Sequence, residues 1–124
     1  MTVDVIYLSK TIGDTADLHN IAVRISAARV FDAEDSSSMM IVLTALIKGG
    51  IAKIAVDMKG LEYIDSRGIG TLINAAKLIR EHHGDLVLYN VPEQIDKIFQ
   101  PVNLPRFIKI FSDEQETLNY LKYL

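Results

Sequence analysis

The chain has no cysteine, which excludes disulfides, thiol nucleophiles and cysteine-ligated zinc. It has no stretch of about eighteen consecutive apolar residues, the length a helix needs to cross a bilayer, so insertion into a membrane is not expected. It also has no excess of positive charge: thirteen basic residues against sixteen acidic ones give a net charge of −3, with the signs interspersed. No basic stripe is therefore available for a phosphate backbone, and direct nucleic-acid binding is not expected. The opening MTVDVIYLSK has no basic leader, apolar core and small-residue cleavage site, so the sequence predicts a cytoplasmic rather than a secreted protein. Internal repeats, low-complexity tracts and linkers are missing too.

What is present is one domain's worth of chain. The 124 residues, 49% hydrophobic and 23% charged, are enough for one core, and residues 1–124 read as a single domain. VDVIYLS (3–9) and IAVRISAARVF (21–31) alternate as half-buried strands and predict an antiparallel pair around a turn-rich TIGDTADLHN (11–20). Ser36, Ser37 and Ser38 offer N-caps for a helix through Lys48, stopped by Gly49 and Gly50.

AKIAVDM (52–58) predicts a buried strand, and GIGTLINAAKLIREHHG (68–84) an amphipathic helix ending on Gly84. DLVLYNV (85–91) is a further strand, followed by a short helix opened by Pro92 with Ile95, Ile98 and Phe99 inward. RFIKIF (106–111) predicts a last strand. Ser112 and Gln115 fit a capping box for a final helix buried through Leu118, Leu121 and Leu124. Strands alternating with helices from residue 52 onward predict parallel pairing through right-handed crossovers. The class is α/β, with a mixed four- to five-stranded sheet and β-α crossover helices.

The stretch YIDSRGIG (63–70) stands where a strand hands over to a helix. Asp65 is a good N-cap, which puts Ser66 in the first turn, among backbone N–H groups that lack intrahelical acceptors. A phosphoryl group on that hydroxyl would add about −1.5 to −2 charges at the positive end of the helix dipole, where they are tolerated. Gly68 and Gly70 would leave room for another protein's backbone to approach. The same residues read equally well as a plain cap with glycines that allow tight packing.

Over KIAVDMKGLEYIDSRGIGTLINAAKLIREHHGDLVLYNV (53–91) the sequence resembles the STAS family, and within it the bacterial anti-sigma factor antagonists. The resemblance continues more weakly through 92–121. It implies that Ser66 is the serine phosphorylated by a partner anti-sigma factor that is itself a serine kinase, and that a serine phosphatase resets it. Asp65, Arg67, Gly68, Ile69 and Gly70 fall in the family's partner-binding turn. Arg67 stands where the family usually has Ser or Thr, and a guanidinium there would partly neutralise a phosphate. The family's turn after the second strand is represented by Ala28-Arg29-Val30-Phe31-Asp32, with no glycine, and Asp32 is carried over as a partner-binding residue. The implied protein is a non-enzymatic regulator with no cofactor, no metal and no catalytic residue. The alternatives are an accessory or scaffold subunit whose serine is never modified and, more remotely, a small-ligand binder.

Other features fit bland roles. Asp57 at a strand end lacks the acidic pair and lysine of a phosphoacceptor site and reads as a loop-stabilising aspartate. His82 and His83 diverge by about 100° on a helix and do not share a metal. Ser66 lacks the Gly-x-Ser-x-Gly elbow of a hydrolytic nucleophile, and the glycines fit no nucleotide-binding pattern. MMIVLTALI (39–47) is apolar nearly all round, which predicts a helix buried on two sides, with a homodimer or partner face as the alternative.

Overall fold

The computed structural model describes residues 1–8 and 18–124. In chain order the elements are β1 (Thr2–Tyr7), β2 (Ile21–Ser26), β3 (Val30–Phe31), α1 (Ala33–Lys48), β4 (Lys53–Asp57), β5 (Tyr63–Ile64), α2 (Ser66–Glu81), β6 (Asp85–Tyr89), α3 (Glu93–Phe99), β7 (Ile110–Phe111) and α4 (Glu114–Lys122). A five-stranded sheet runs β1-β2-β4-β6-β7, and β3 pairs with β5 in a separate two-stranded ladder. β1 is antiparallel to β2, while β2, β4, β6 and β7 are mutually parallel. The expected mixed α/β sheet is therefore present. Residues 9–17, most of the turn-rich TIGDTADLHN stretch, lie outside the described residues; Leu18–Asn20 at its end form a 3-10 turn.

Period-two alternation sorts the sheet into two cores. One face sends Val23, Ile25, Ile54, Val56, Leu86 and Leu88 toward α1, α2 and α3, which contribute Leu43, Ile47, Leu72, Ile79 and Phe99. The other face sends Ala22, Ala55, Val87 and Tyr89 against Leu121 of α4. Burying each of the large aliphatic side chains contributes roughly 1.5–3 kcal/mol. The buried Asp85 carboxylate accepts from the Tyr120 hydroxyl at 2.6 Å and the Leu86 N–H at 2.9 Å. Arg80 Nε donates to it at 3.2 Å, and Lys109 Nζ lies 3.7 Å away. A buried charge is tolerated only when so supplied with partners, and this one joins the end of α2 and the approach to β7 to α4.

Several local expectations are corrected, mostly at element ends. The predicted strand 21–31 breaks at Ala27, whose N–H turns to the Asp57 carbonyl, and resumes as β3 in the second ladder. The serines do not cap α1. Asp32 does, accepting from the N–H groups of Glu34 and Asp35, while the Ser36 hydroxyl bonds back to the Asp32 carbonyl at 2.6 Å inside the helix. At the other end Gly49 is the C-cap and Gly50 takes φ 105°, as two terminating glycines should. After α2 the left-handed residue is His83, φ 64°, rather than Gly84. Ile98 is exposed, whereas Ile95 and Phe99 are buried. Most of 106–111 is loop, because a 3-10 turn over Leu104–Arg106 consumes its start. The α4 cap is Asp113, which accepts from the Glu116 N–H, and the Glu116 carboxylate reaches back to Ser112. Leu121 is buried there, but Leu124 is exposed.

The two-sided burial expected of residues 39–47 is not found. Met39, Leu43 and Ile47 form one buried stripe, and Ile41 is 72% exposed. Ser37, Met40, Ile41, Thr44, Ala45 and Lys48 line an open depression of about 600 Å³ along that outer flank.

Candidate functional site

Two helices start side by side. The β3–β5 ladder pairs Val30 with Tyr63 and Phe31 with Ile64 in parallel, so the residues that follow, Asp32 and Asp65, leave it in the same direction. Each becomes an N-cap: Asp32 for α1 and Asp65 for α2. The Asp65 N–H donates to the Phe31 carbonyl at 3.3 Å, which ties one start to the other. The Asp65 carboxylate accepts from the Arg67 and Gly68 N–H groups, both at 3.0 Å, satisfying two of the donors that a helix start leaves without intrahelical acceptors. Ser66 is then the first residue of α2, and both it and Arg67 are exposed. Two helix dipoles place their positive ends together here, and the acidic Asp32, Glu34, Asp35 and Asp65 crowd the same rim.

The two glycines do different work. A Cβ on Gly68 would stand 2.3 Å from Phe31 Cδ1, 2.6 Å from the Phe31 carbonyl oxygen and 2.7 Å from Ile64 Cγ1, whereas one on Gly70 would meet nothing within 4 Å. Gly68 therefore seats α2 on the β3–β5 ladder. The open approach expected from both glycines is left to Gly70. Ile69 between them is buried. Of the residues singled out from the sequence, Asp32, Asp65, Ser66, Arg67 and Gly70 border one surface, while Gly68 and Ile69 support it from beneath.

Sequence reasoning missed two neighbours. Val30 and Tyr63 are exposed and lie directly opposite one another, and Arg29 Nε donates to the Glu62 carboxylate at 2.9 Å beside them. Two-residue strands are too short to carry a readable period, so no sequence signal marked the pair. Asp57 holds the loop after β4 as expected, accepting from the Lys59 N–H at 3.0 Å and from Asn90 Nδ2 at 3.3 Å. His82 Nδ1 lies 2.9 Å from the Leu78 carbonyl oxygen, within its own helix end. Among the described residues no group of His, Asp or Glu is placed to hold a metal ion, and no helix is long and apolar enough to cross a membrane.

Tyr89, opposite Asp57 in the ladder, is buried, and neither its hydroxyl nor Arg24 Nε has a hydrogen-bond partner among the described residues. Burial, followed by the nearby Asp57 and Glu114 carboxylates, pushes its pKa from 10.0 up to about 12. Tyr120 is also raised, by burial and by its bond to Asp85. A folded-state pKa above the unfolded value keeps the proton on the native side, so this contribution is complete below pH 10. It is lost as the pH climbs from there toward about 12, because the unfolded chain ionises first. Unfolding midpoints recorded across that window should fall, ultraviolet tyrosinate titration should show late-ionising rings, and Tyr89→Phe should flatten the decline.

The sequence profile of the STAS domain matches residues 14–117. An anti-sigma-B factor antagonist of Listeria monocytogenes is 30% identical over 70 residues, 56% of this chain and 60% of that protein. One from Staphylococcus aureus is 27% identical over 63 residues, 51% of this chain and 58% of that protein. The matched stretch thus spans less than two-thirds of these relatives. Among solved structures, an anti-sigma-factor antagonist (STAS) domain protein from Planctomyces limnophilus superposes with a TM-score of 0.72 at 17% identity, covering 96% of this chain and 97% of that one. The anti-sigma factor antagonist SpoIIAA in its unphosphorylated form gives 0.67 at 19% identity, covering 84% and 89%. With the sheet order, the paired helix starts and a profile match over most of its length, the chain belongs to the STAS domain family.

Proposed function

We propose that the protein is an anti-sigma factor antagonist that works in the cytoplasm by partner switching. In this reading the unmodified protein binds an anti-sigma factor serine kinase through the rim formed by Asp32, Asp65, Ser66, Arg67 and Gly70, with the exposed Val30–Tyr63 pair as its apolar anchor. Phosphorylation of Ser66 releases the partner, and a serine phosphatase restores binding. The observation that carries the reading is the exposed first residue of α2: a hydroxyl at a helix start, beside a residue with no side chain and no neighbours on its open side. The names of the Listeria and Staphylococcus relatives support it. The chemistry is favourable on one side only. The two helix ends and Arg67 favour a dianion at Ser66 against the opposing rim carboxylates, while a desolvated protein surface pressed against the same atoms does not accept it.

The test is to incubate the protein with ATP and a cognate serine kinase and to locate phosphate by mass spectrometry. One phosphate is expected, on Ser66 and absent from Ser66→Ala. Ser66→Asp should weaken kinase binding by about tenfold to a hundredfold, or roughly 1.4–2.7 kcal/mol. No phosphate together with binding indifferent to Ser66→Asp would overturn the switch. It would favour instead an accessory STAS subunit, a reading that Arg67 supports by placing a fixed positive charge beside Ser66.

A further inference from the structure

The two edges of the main sheet are not equally protected. β7 is two residues long, half-buried, and preceded by Lys109. β1 is six residues, TVDVIY, with no proline, no lysine and no bulge in its register with β2, and among the described residues no strand lies on its other side. Long, flat, apolar edges without such protection are templates for further pairing.

The phase of the β1 hydrogen bonds shows what the free edge presents. Leu8 N–H donates to the Asn20 carbonyl at 2.7 Å, one step beyond the Tyr7↔Ile21 register pair. Antiparallel pairs alternate between bonded and non-bonded, so the even residues of β1 bond inward to β2. The N–H and C=O groups of Val3, Val5 and Tyr7 consequently point outward. Their side chains share the sheet face of Ile25, Val23 and Ile21, and they are 46%, 55% and 68% exposed.

We propose that this edge pairs antiparallel with the β1 of a second copy, about a twofold axis through Val5. That register sets Val5 against Val5 and Val3 against Tyr7, each pair exchanging both backbone bonds, and gathers all six exposed side chains into one strip. The charge pattern selects it over its neighbours. Asp4, the only charged residue of β1, then faces Ile6 of the second copy and keeps its 3.3 Å contact with Arg24 of its own chain. Centring the axis on Asp4 would oppose two carboxylates, and centring it on Ile6 would lose the outer bonded pairs. A second copy fits because its edge has the same phase, the same apolar residues and a complementary place for the one charge. The axis is normal to the sheet, so the strands of the two copies run in opposite directions and the two Ser66 surfaces face opposite ways along the strand direction.

A strand-edge contact is small, so the dimer belongs among weak interfaces. Sedimentation velocity on the full chain, up to about 1 mM, should show the average mass rising toward twice the monomer's. Val5→Pro deletes an outward N–H without touching a β1–β2 bond and should hold the protein monomeric with its circular dichroism unchanged; Tyr7→Lys, which keeps the backbone, should do the same. Because the chain has no cysteine, Val5→Cys offers one thiol. The two Val5 Cβ atoms of a bonded antiparallel pair stand about 5.5 Å apart, beyond the roughly 4.5 Å a disulfide spans but within reach of a short bis-maleimide, so that cross-linker should give a covalent dimer of Val5→Cys and not of Ile41→Cys. A wild type that stays monomeric throughout overturns the proposal. So does a dimer that survives both Val5→Pro and Tyr7→Lys, or one dissolved by Ile41→Glu instead, which would assign self-association to the flank of α1.

Discussion

Gly68→Ala should destabilise the protein by about 2–3 kcal/mol and lower its unfolding midpoint by on the order of 10 °C. Gly70→Ala, two residues on, should leave the midpoint unchanged or raise it. The added methyl at Gly68 meets a ring carbon, a backbone oxygen and an isoleucine branch, all closer than 3.0 Å. The oxygen belongs to Phe31, which is fixed in the β3–β5 ladder and also receives the Asp65 N–H, so it cannot yield without moving the cap of α2. Helix propensity returns at most about 1 kcal/mol for replacing a glycine with alanine. That is too little to offset the overlap at Gly68, and it is the whole effect at Gly70. Thermal melts of the two variants decide the matter. Binding separates them a second way: Gly70→Ala is the well-folded variant that should nonetheless weaken kinase binding if that protein's backbone passes over the first turn of α2.

The second large effect is at Gly84. Its φ is not positive, so alanine loses nothing in backbone preference, yet a Cβ there would fall 2.1 Å from the Ala52 carbonyl oxygen and 2.8 Å from its carbonyl carbon and Cα. All three are main-chain atoms at the start of β4. The same oxygen receives the Asp85 N–H at 2.9 Å, the bond that opens the β4–β6 ladder in the centre of the sheet. Relieving the clash means breaking that bond or shifting two buried strands, and Gly84→Ala should cost about 3 kcal/mol or more in chemical denaturation. His83→Gly, one residue earlier, should be neutral or stabilising, because it is the histidine that occupies the left-handed region, at about 1–2 kcal/mol for an L side chain.

These glycines also show where sequence reading succeeds. Long elements with a clear period were legible: α2 from its apolar spacing, β4 and β6 from their continuous β-branched and aliphatic runs, and the Asp65 cap from its place before the helix. Gly84 lies beyond the end of α2, which closes at Glu81 with His83 as the left-handed residue; its need for glycine comes from close approach to another strand, which leaves no local trace. The pairing that assembles the candidate site was hidden in the same way. Asp32, Val30 and Arg29 join Asp65, Tyr63 and Glu62 only through a parallel ladder two residues long, and nothing in either segment alone signals the other. The serines of α1 misled because they lie one turn after a better cap, where their hydroxyls bond back into the helix. The apolar run at 39–47 misled because composition counts apolar residues without showing how many faces the fold covers.

The tie between Asp65 and Phe31 has a consequence for miniaturisation. A synthetic peptide copying residues 60–75 would carry every letter of the turn but neither the ladder that orients it nor the neighbouring helix that completes the rim. Isolated in water, it would spend most of its time as coil. If this surface is the docking face proposed above, its recognition belongs to the assembled tertiary structure, and a minimal mimic has to reproduce two chain segments held in parallel rather than one linear epitope.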